Sequence, residues 1–285
     1  MAQNSFDFQR IAQGYKDRPF LHKQVIERFQ RVVTDRKFAR GLDAGCGAGL
    51  SSRALKMICS HVTGADISAE MVKAAVEICG DGEGYDFIVS KAEEIPSVEG
   101  GYDIVSAAGA VQWIAMGAFL QNLREIMCKD GYVLVYDFGI SDRMKGKESY
   151  TGWWHEAYLK EFPKPFRNEH VWTAEEVKPY GFFMLGQERY ELEHEFDRDS
   201  FIRFMMLQSN VNAKIEGEGR DEEEVRKWFE KSLAPVFGKE KERLIFNGYS
   251  WYMKLEAAGL WKGADMDPFL DDKRDGAVSD GTDFG

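Results

Sequence analysis

Three glycines at alternate positions mark the most chemically informative stretch of this chain, Leu42-Asp43-Ala44-Gly45-Cys46-Gly47-Ala48-Gly49. Glycine lets a backbone turn sharply and approach a ligand closely. Such a turn gains meaning only from a strand before it and a helix after it. Both are expected here. Ala39 to Ala44 reads as a short buried strand, and Leu50 to Cys59 as a helix opened by Ser51 and Ser52. About 20 residues beyond the turn, Gly64-Ala65-Asp66-Ile67-Ser68 closes a second strand, where an acidic side chain can accept both hydroxyls of a ribose. Ile67 can pack on an adenine. The bland alternative is a tight turn at Gly45 and Gly47 and a helix cap at Asp66, although Ser68 is the better cap.

Two cofactors compete for such a turn. A dinucleotide needs its third glycine three residues after the second, for close helix–strand packing. Here that glycine comes one position early, at Gly49, and Leu50 holds the expected place. A pyrophosphate is also repelled by a carboxylate such as Asp43, just ahead of the turn. S-adenosyl-L-methionine carries an ammonium and a sulfonium and no phosphate, so it tolerates that carboxylate. The order Asp-x-Gly-x-Gly favours the sulfonium cofactor.

A second concentration of chemistry lies later in the chain. Trp153, Trp154, His155 and Tyr158 fall close together, with His170 and Trp172 beyond them. An aromatic wall suits a flat or greasy acceptor, and ring faces attract a cationic methyl group. Clustered aromatics equally make a satellite core. For a phenol or carboxylate acceptor no strong base is needed. For a carbon acid or alcohol, His155 and His170 are the candidate bases, and a structural role is the alternative for each.

These groups need a scaffold. Val25, Ile26, Phe29, Val32 and Val33 form an apolar stripe at helical spacing, preceded by a looser segment that breaks at Gly14. Strands are expected at 39–44, 61–66, 85–90, 102–107, 132–138, 182–196 and 243–255, with helices at 69–78, 119–127, 199–215 and 222–233. Strand and helix alternate with short links up to residue 138, which implies a parallel sheet covered on both faces. The expected fold is α/β: a doubly wound, mostly parallel seven-stranded sheet with one late antiparallel strand and a helical cap. Residues 1–139 would form the cofactor-binding core. Residues 140–262 would hold the rest of the sheet with inserted cap segments at 140–176 and 197–242, and 263–285 a mobile tail.

With these motifs in place, the sequence resembles a class I S-adenosylmethionine-dependent methyltransferase. Its glycine turn and Asp66 are similar to motif I and the acidic loop of that family, and the implied fold is Rossmann-like. The resemblance continues through Lys91-Ala92-Glu93-Glu94-Ile95-Pro96, Gly101-Tyr102-Asp103-Ile104-Val105 and Ala110-Val111-Gln112-Trp113, and covers roughly residues 6–138. It is similar above all to small-molecule enzymes of the trans-aconitate and ubiquinone-pathway type. It implies S-adenosyl-L-methionine as methyl donor and S-adenosyl-L-homocysteine as product. The implied cofactor-binding residues are Tyr15, Asp43, Gly45, Gly47, Asp66, Ile67, Ala92, Glu93 and Ala108. Tyr15, with Arg18 near it, would close over the methionine carboxylate. Gln112, Trp113, Trp153, Trp154 and Tyr158 would line the acceptor site. Two positions depart from the family: Lys91 stands where an adenine-binding Asp is common, leaving the Ala92 backbone and the Glu93 side chain to read the adenine rim. Gln112 stands where a His often precedes the Trp. An NAD-dependent oxidoreductase and a cofactor-binding regulator without turnover are the rival readings.

Composition narrows the partners. The formal net charge is −11, and no basic cluster offsets it, which disfavours nucleic acid and anionic lipid. Cys46, Cys59, Cys79 and Cys128 form no Cys-x-x-Cys pair, which argues against a zinc site or a disulfide framework. No signal peptide or membrane span is read, and the expected setting is a reducing cytoplasm. Hydrophobic residues make up 44%, with 7 Trp, 11 Tyr and 20 Phe, enough for a core and an apolar pocket.

Overall fold

The computed structural model describes residues 18–80, 84–164, 170–238 and 240–256, together with Gly14 and Gly82. Helix α1 (His22–Val32) buries Val25, Ile26 and Phe29, the stripe read from the sequence. Strand β1 (Phe38–Ala44) then runs through the sheet centre, with Leu42, Asp43 and Ala44 all buried. Helix α2 (Leu50–Leu55) ends earlier than its apolar pattern implies. Cys59 instead opens β2 (Cys59–Asp66) by pairing with Phe38, because a parallel ladder satisfies this backbone as well as another helical turn would. Helix α3 (Ala69–Cys79) is capped by Ser68, whose hydroxyl accepts from the Met71 N–H at 3.4 Å. Strand β3 (Tyr85–Val89), strand β4 (Tyr102–Ala108) and helix α4 (Met116–Ile126) complete the alternating half.

The seven strands order as β3-β2-β1-β4-β5-β7-β6. β7 (Glu242–Leu255) runs antiparallel to both its neighbours, and the other strands are mutually parallel. Chain order reverses between β1 and β4, and that switch point, at the carboxyl ends of the strands, is where open α/β sheets take ligands.

Strand β5 (Met127–Met144) differs most from expectation. It pairs with β4 only as far as Tyr136, opposite Ala108, and continues to Met144 against β7. The division expected at residue 139 therefore falls inside a strand. β6 (Phe182–Phe196) follows β7 outward, so three strands project past the end of β4. One face of this projection carries Ile140, Met144, Leu192, Phe196, Leu244 and Phe246, which join one core cluster with the cap helices. Its other face is a ladder of ion pairs, Arg143–Glu191, Lys145–Glu193 and Arg243–Glu195, which keeps it wettable.

The cap comprises α5 (Glu148–Trp153), extended by a π-helical turn at Trp154–Tyr158 and the short Leu159–Glu161, with α7 (Arg198–Met205), α8 (Ser209–Asn212) and α9 (Glu222–Leu233), whereas the short α6 (Ala174–Val177) between them joins the core around α4 through Val177. The helix expected at 199–215 is thus interrupted at Met206–Gln208. Asp197 caps α7 by accepting from the Ser200 N–H at 2.8 Å. The two cap segments are pinned together by buried Asn210. Its Oδ1 accepts from the Tyr158 hydroxyl at 3.0 Å, and its Nδ2 donates to the Phe162 carbonyl at 2.7 Å. Among the described residues no helix is long and apolar enough to cross a membrane.

Candidate active site

The glycine turn closes the end of β1 with left-handed backbone at each glycine: φ is +73° at Gly45, +50° at Gly47 and +85° at Gly49. The N–H groups of Gly45 and Cys46 donate to the Ala65 carbonyl at 2.8 and 3.0 Å, tying the turn to β2. A Cβ on Gly45 would lie 2.6 Å from the Ala110 Cβ, so the turn also abuts the segment after β4. Gly49 packs one helix on another: a Cβ there would meet Cys79 Sγ at 2.7 Å and Ala75 Cβ at 3.2 Å. The early third glycine therefore performs a packing role, directed at α3.

Asp66 links this turn to the end of β2. Its Oδ2 accepts from the Gly47 N–H and its Oδ1 from the Ser68 N–H, each at 2.9 Å. Ile67 beside it is 56% exposed, an unusual position for an isoleucine and a suitable one for covering an apolar ring.

Asp43 is placed differently from the sequence expectation. It is fully buried beneath the turn and accepts three hydroxyl hydrogen bonds. Ser51 and Ser52 donate to Oδ2 at 2.6 and 2.7 Å, and Ser106 donates to Oδ1 at 2.7 Å. Burial pushes its pKa up, and the three hydroxyls oppose that rise. The carboxylate is a strut joining β1, α2 and β4, its oxygens sheathed by protein. Ser51 and Ser52 serve this strut, while Gly49 takes the N-cap position of α2.

Half-buried Ala92 opens a 3-10 turn (Ala92–Glu94) after β3. Glu93 Oε1 accepts from the Ala115 N–H at 2.7 Å, holding the entrance to α4. Lys91 pairs with Glu94 at 2.8 Å. Ala108 ends β4, and Gly109 follows with φ +61°, its Cα facing Asp137 of β5 so closely that a Cβ would lie 3.1 Å from Oδ1. Gln112 Nε2 reaches the Gly109 carbonyl at 3.5 Å, and Trp113, in the turn Val111–Trp113, is 62% exposed. Its ring is therefore not part of the core.

Tyr15 lies outside the described residues. Arg18 is described: its Nη2 donates to the Leu207 carbonyl at 3.3 Å, and Leu207 packs with Ala48, Met71 and Ala74. The break between α7 and α8 thus brings the cap down onto the glycine turn.

The structure does not bring the aromatic group of 153–158 to this place. Trp153, Trp154 and Tyr158 are buried in the cap core, where Trp153 stacks on Tyr158 at 5.5 Å and packs against Phe229. His155 and His170 are exposed. His155 Nε2 pairs with Asp142 at 2.9 Å and His170 Nε2 with Glu176, the capping-box residue of α6, at 2.8 Å. Sequence reasoning passed over His22 and Tyr136. His22 Nδ1 lies 2.9 Å from the hydroxyl of Tyr136, which pairs with Ala108 at the carboxyl end of β4, and burial followed by the Arg18 charge pushes the imidazole pKa down to about 3. No local pattern signals this pair, whose members are 114 residues apart.

Comparison with known proteins bears on the same region. Residues 42–135 match a methyltransferase-domain family model. A malonyl-[acyl-carrier protein] O-methyltransferase of Pseudescherichia vulneris is 28% identical over 127 residues, 44% of this chain and 49% of that protein. Its counterpart from Erwinia billingiae is 30% identical over 45% of this chain and 50% of its own length. The chain spans about half the length of the curated relatives it matches. Among solved structures, a candidate type II methyltransferase from Anaeromyxobacter dehalogenans shares the fold with a TM-score of 0.60 at 20% identity, covering 81% of this chain and 94% of that one. The domain match runs from β1 into β5, and with the strand order found here it shows that the chain carries a methyltransferase domain on a Rossmann-like sheet.

Proposed function

We propose that the chain holds S-adenosylmethionine across the carboxyl ends of β1, β2 and β4 and transfers its methyl group, by in-line displacement, to an O, N or C atom of a small-molecule acceptor beneath the cap. The observation that carries this reading is the union of the glycine turn with Asp66 and Ile67 at the switch point of the sheet. A carboxylate accepts up to about four hydrogen bonds, so ribose hydroxyls can join the two backbone N–H groups at Asp66. Ile67 and the Ala92 turn would flank the adenine, and Arg18 would meet the methionine carboxylate. Asp137, beside Gly109 at the end of β4, adds a carboxylate to the region, which suits a sulfonium and disfavours a pyrophosphate. The same argument weighs against the NAD-dependent reading.

S-adenosylmethionine supplies a methyl group already activated for transfer. The chain's own residues then need only align the acceptor and exclude water. Leu207, seated on Ala48, closes the turn from the cap side, and Gln112 and Trp113 border the acceptor's approach. The net charge of −11 supports a small molecule over nucleic acid as acceptor.

Thermal melting and calorimetry with S-adenosylhomocysteine and with NAD test the cofactor. S-adenosylhomocysteine is expected to bind, and Asp66→Ala to weaken it by about tenfold, the loss of one charge-assisted hydrogen bond. Stabilisation by NAD alone, or unchanged affinity in the variant, would refute the reading. Turnover on a panel of phenols, carboxylic acids and amines then separates an enzyme from a regulator without turnover.

A further inference from the structure

Tyr136 is 1% exposed, and among the described residues its hydroxyl has one hydrogen-bond partner, Nδ1 of His22 at 2.9 Å. A buried hydroxyl left without an acceptor for its proton is costly, so the phenol donates and Nδ1 accepts. Which imidazole nitrogen carries the proton is set by the bond the other makes. The proton of His22 therefore sits on Nε2. The ring is held edge-on by Phe138, with centroids 4.9 Å apart, and by Tyr136 at 5.7 Å, which fixes its plane.

The location is informative as well. His22 is half-buried and opens α1. Just before it in the chain, Phe20 lies under the Arg53 guanidinium of α2 and Arg18 bonds the Leu207 carbonyl above the glycine turn. Ala108, the last residue of β4, pairs with Tyr136 across the sheet, and Phe138, two residues farther along β5, stacks on the Tyr136 ring at 6.4 Å. The imidazole thus stands between the cofactor turn and the projecting strands, on the side of the cap.

We propose that His22 is an acceptor-binding residue and Tyr136 its positioning residue: Tyr136 holds the ring in the Nε2–H tautomer, which offers a donor to an oxygen atom of the methyl acceptor, a carbonyl, carboxylate or phenolate. The inference rests on the methyltransferase reading and adds to it the class of acceptor. Because burial and the nearby Arg18 keep the ring uncharged, the donor does not repel a sulfonium. In a poorly solvated site a fixed neutral donor still stabilises developing or resident negative charge on oxygen.

The tautomer is read first, without ligand, from ring nitrogen–proton correlations in protein carrying 15N-labelled histidine. His22 is expected with the proton on Nε2, and the Tyr136→Phe variant with a mixture of tautomers. The complex with S-adenosylhomocysteine is then titrated with benzoate and with 4-nitrophenolate. At least one oxyanion is expected to move the His22 Nε2–H resonance. Its affinity should fall about tenfold in His22→Leu and return to within about threefold in His22→Gln, whose amide can donate from a similar position. Affinity for S-adenosylhomocysteine should stay unchanged in both. A proton on Nδ1 in the wild type, or no response to either oxyanion, overturns the proposal. Failure of the wild type to bind S-adenosylhomocysteine would count against the cofactor reading alone, since the tautomer is measured independently.

Discussion

Asp43 offers the sharpest test of the architecture, because sequence and structure give it different work. As a cofactor ligand its loss would cost binding; as a strut its loss would cost stability. Three hydroxyls converge on a fully buried carboxylate. Hydrogen bonds to a charged group are worth about 1.5–3 kcal/mol each. Removing the carboxylate also recovers several kcal/mol of its desolvation cost, so the gross loss is partly offset. The substitution leaves three buried hydroxyls without their acceptor, at about 1–3 kcal/mol each, so a net cost of about 3–5 kcal/mol remains, a large share of the roughly 5–15 kcal/mol that holds a domain together. Asp43→Ala should therefore shift the urea midpoint strongly downward. Asp43→Asn keeps one acceptor oxygen and presents an amide that the Ser51 and Ser52 hydroxyls can turn to accept, so its cost should be about 1–2 kcal/mol. Calorimetry at low temperature, on the fraction still folded, should show nearly normal affinity for S-adenosylhomocysteine in the Asn variant. Asp43→Ala within about 1 kcal/mol of wild type but without cofactor binding would refute the strut and restore the direct contact.

Other outcomes follow from the same geometry. Gly45→Ala places a methyl 2.6 Å from the Ala110 Cβ at φ +73°, so it should cost about 1–3 kcal/mol in urea unfolding and weaken S-adenosylhomocysteine in calorimetry; normal values for both would show that the turn has room to relax. Trp154, at 3% exposure, is core, and Trp154→Ala should remove about 3–5 kcal/mol and lower the melting temperature by roughly 10 °C. An unchanged melting temperature with lost turnover would return Trp154 to the acceptor pocket. The imidazole of His22 has its folded pKa lowered from 6.5 to about 3, so between those values the unfolded chain binds a proton that the folded one refuses. Stability should therefore fall as pH drops below 6.5, by about 1–2 kcal/mol at pH 5 after allowance for partial exposure, and His22→Leu should remove that part of the slope in parallel denaturation curves. Identical slopes would place the ring in a solvated setting.

The elements that could be read from sequence were those whose causes are local. The glycine turn, the Ser68 cap and the helical stripe of α1 are set by residues within a turn or two of each other. β6 and α9 likewise occupy the spans their patterns mark. The outer part of β5 could not be read that way. Gly139-Ile140-Ser141-Asp142-Arg143-Met144 is short and polar, and it is extended because β7 pairs with it from a hundred residues later in the chain. The break at Met206–Gln208 arises because Leu207 packs on Ala48 of the turn. Asp43 misled for a similar reason, since Ser106 is 63 residues away and only the folded sheet shows that it sheathes the carboxylate. Trp153, Trp154 and Tyr158 have composition that fits a wall or a core equally, and burial alone separates the two.

The projection of β5, β7 and β6 past the end of β4 also governs how the molecule comes apart. Trp251 and Met253 of β7 and Phe182 of β6 pack with Phe119, Leu120 and Leu123 of α4, beneath the cofactor half. Farther along, Leu244 and Phe246 of β7 and Leu192 of β6 pack with the cap. The same strands thus supply both ends of the molecule with core, and fraying cannot stop between them without exposing one or the other. The chain should open as a single cooperative block, with amide protons of β7 among the slowest to exchange along its whole length. Division of the chain after residue 139 would cut β5 and leave Val133 and Val135 with no β7 beside them, so the catalytic half has no natural seam at which to be separated from its cap.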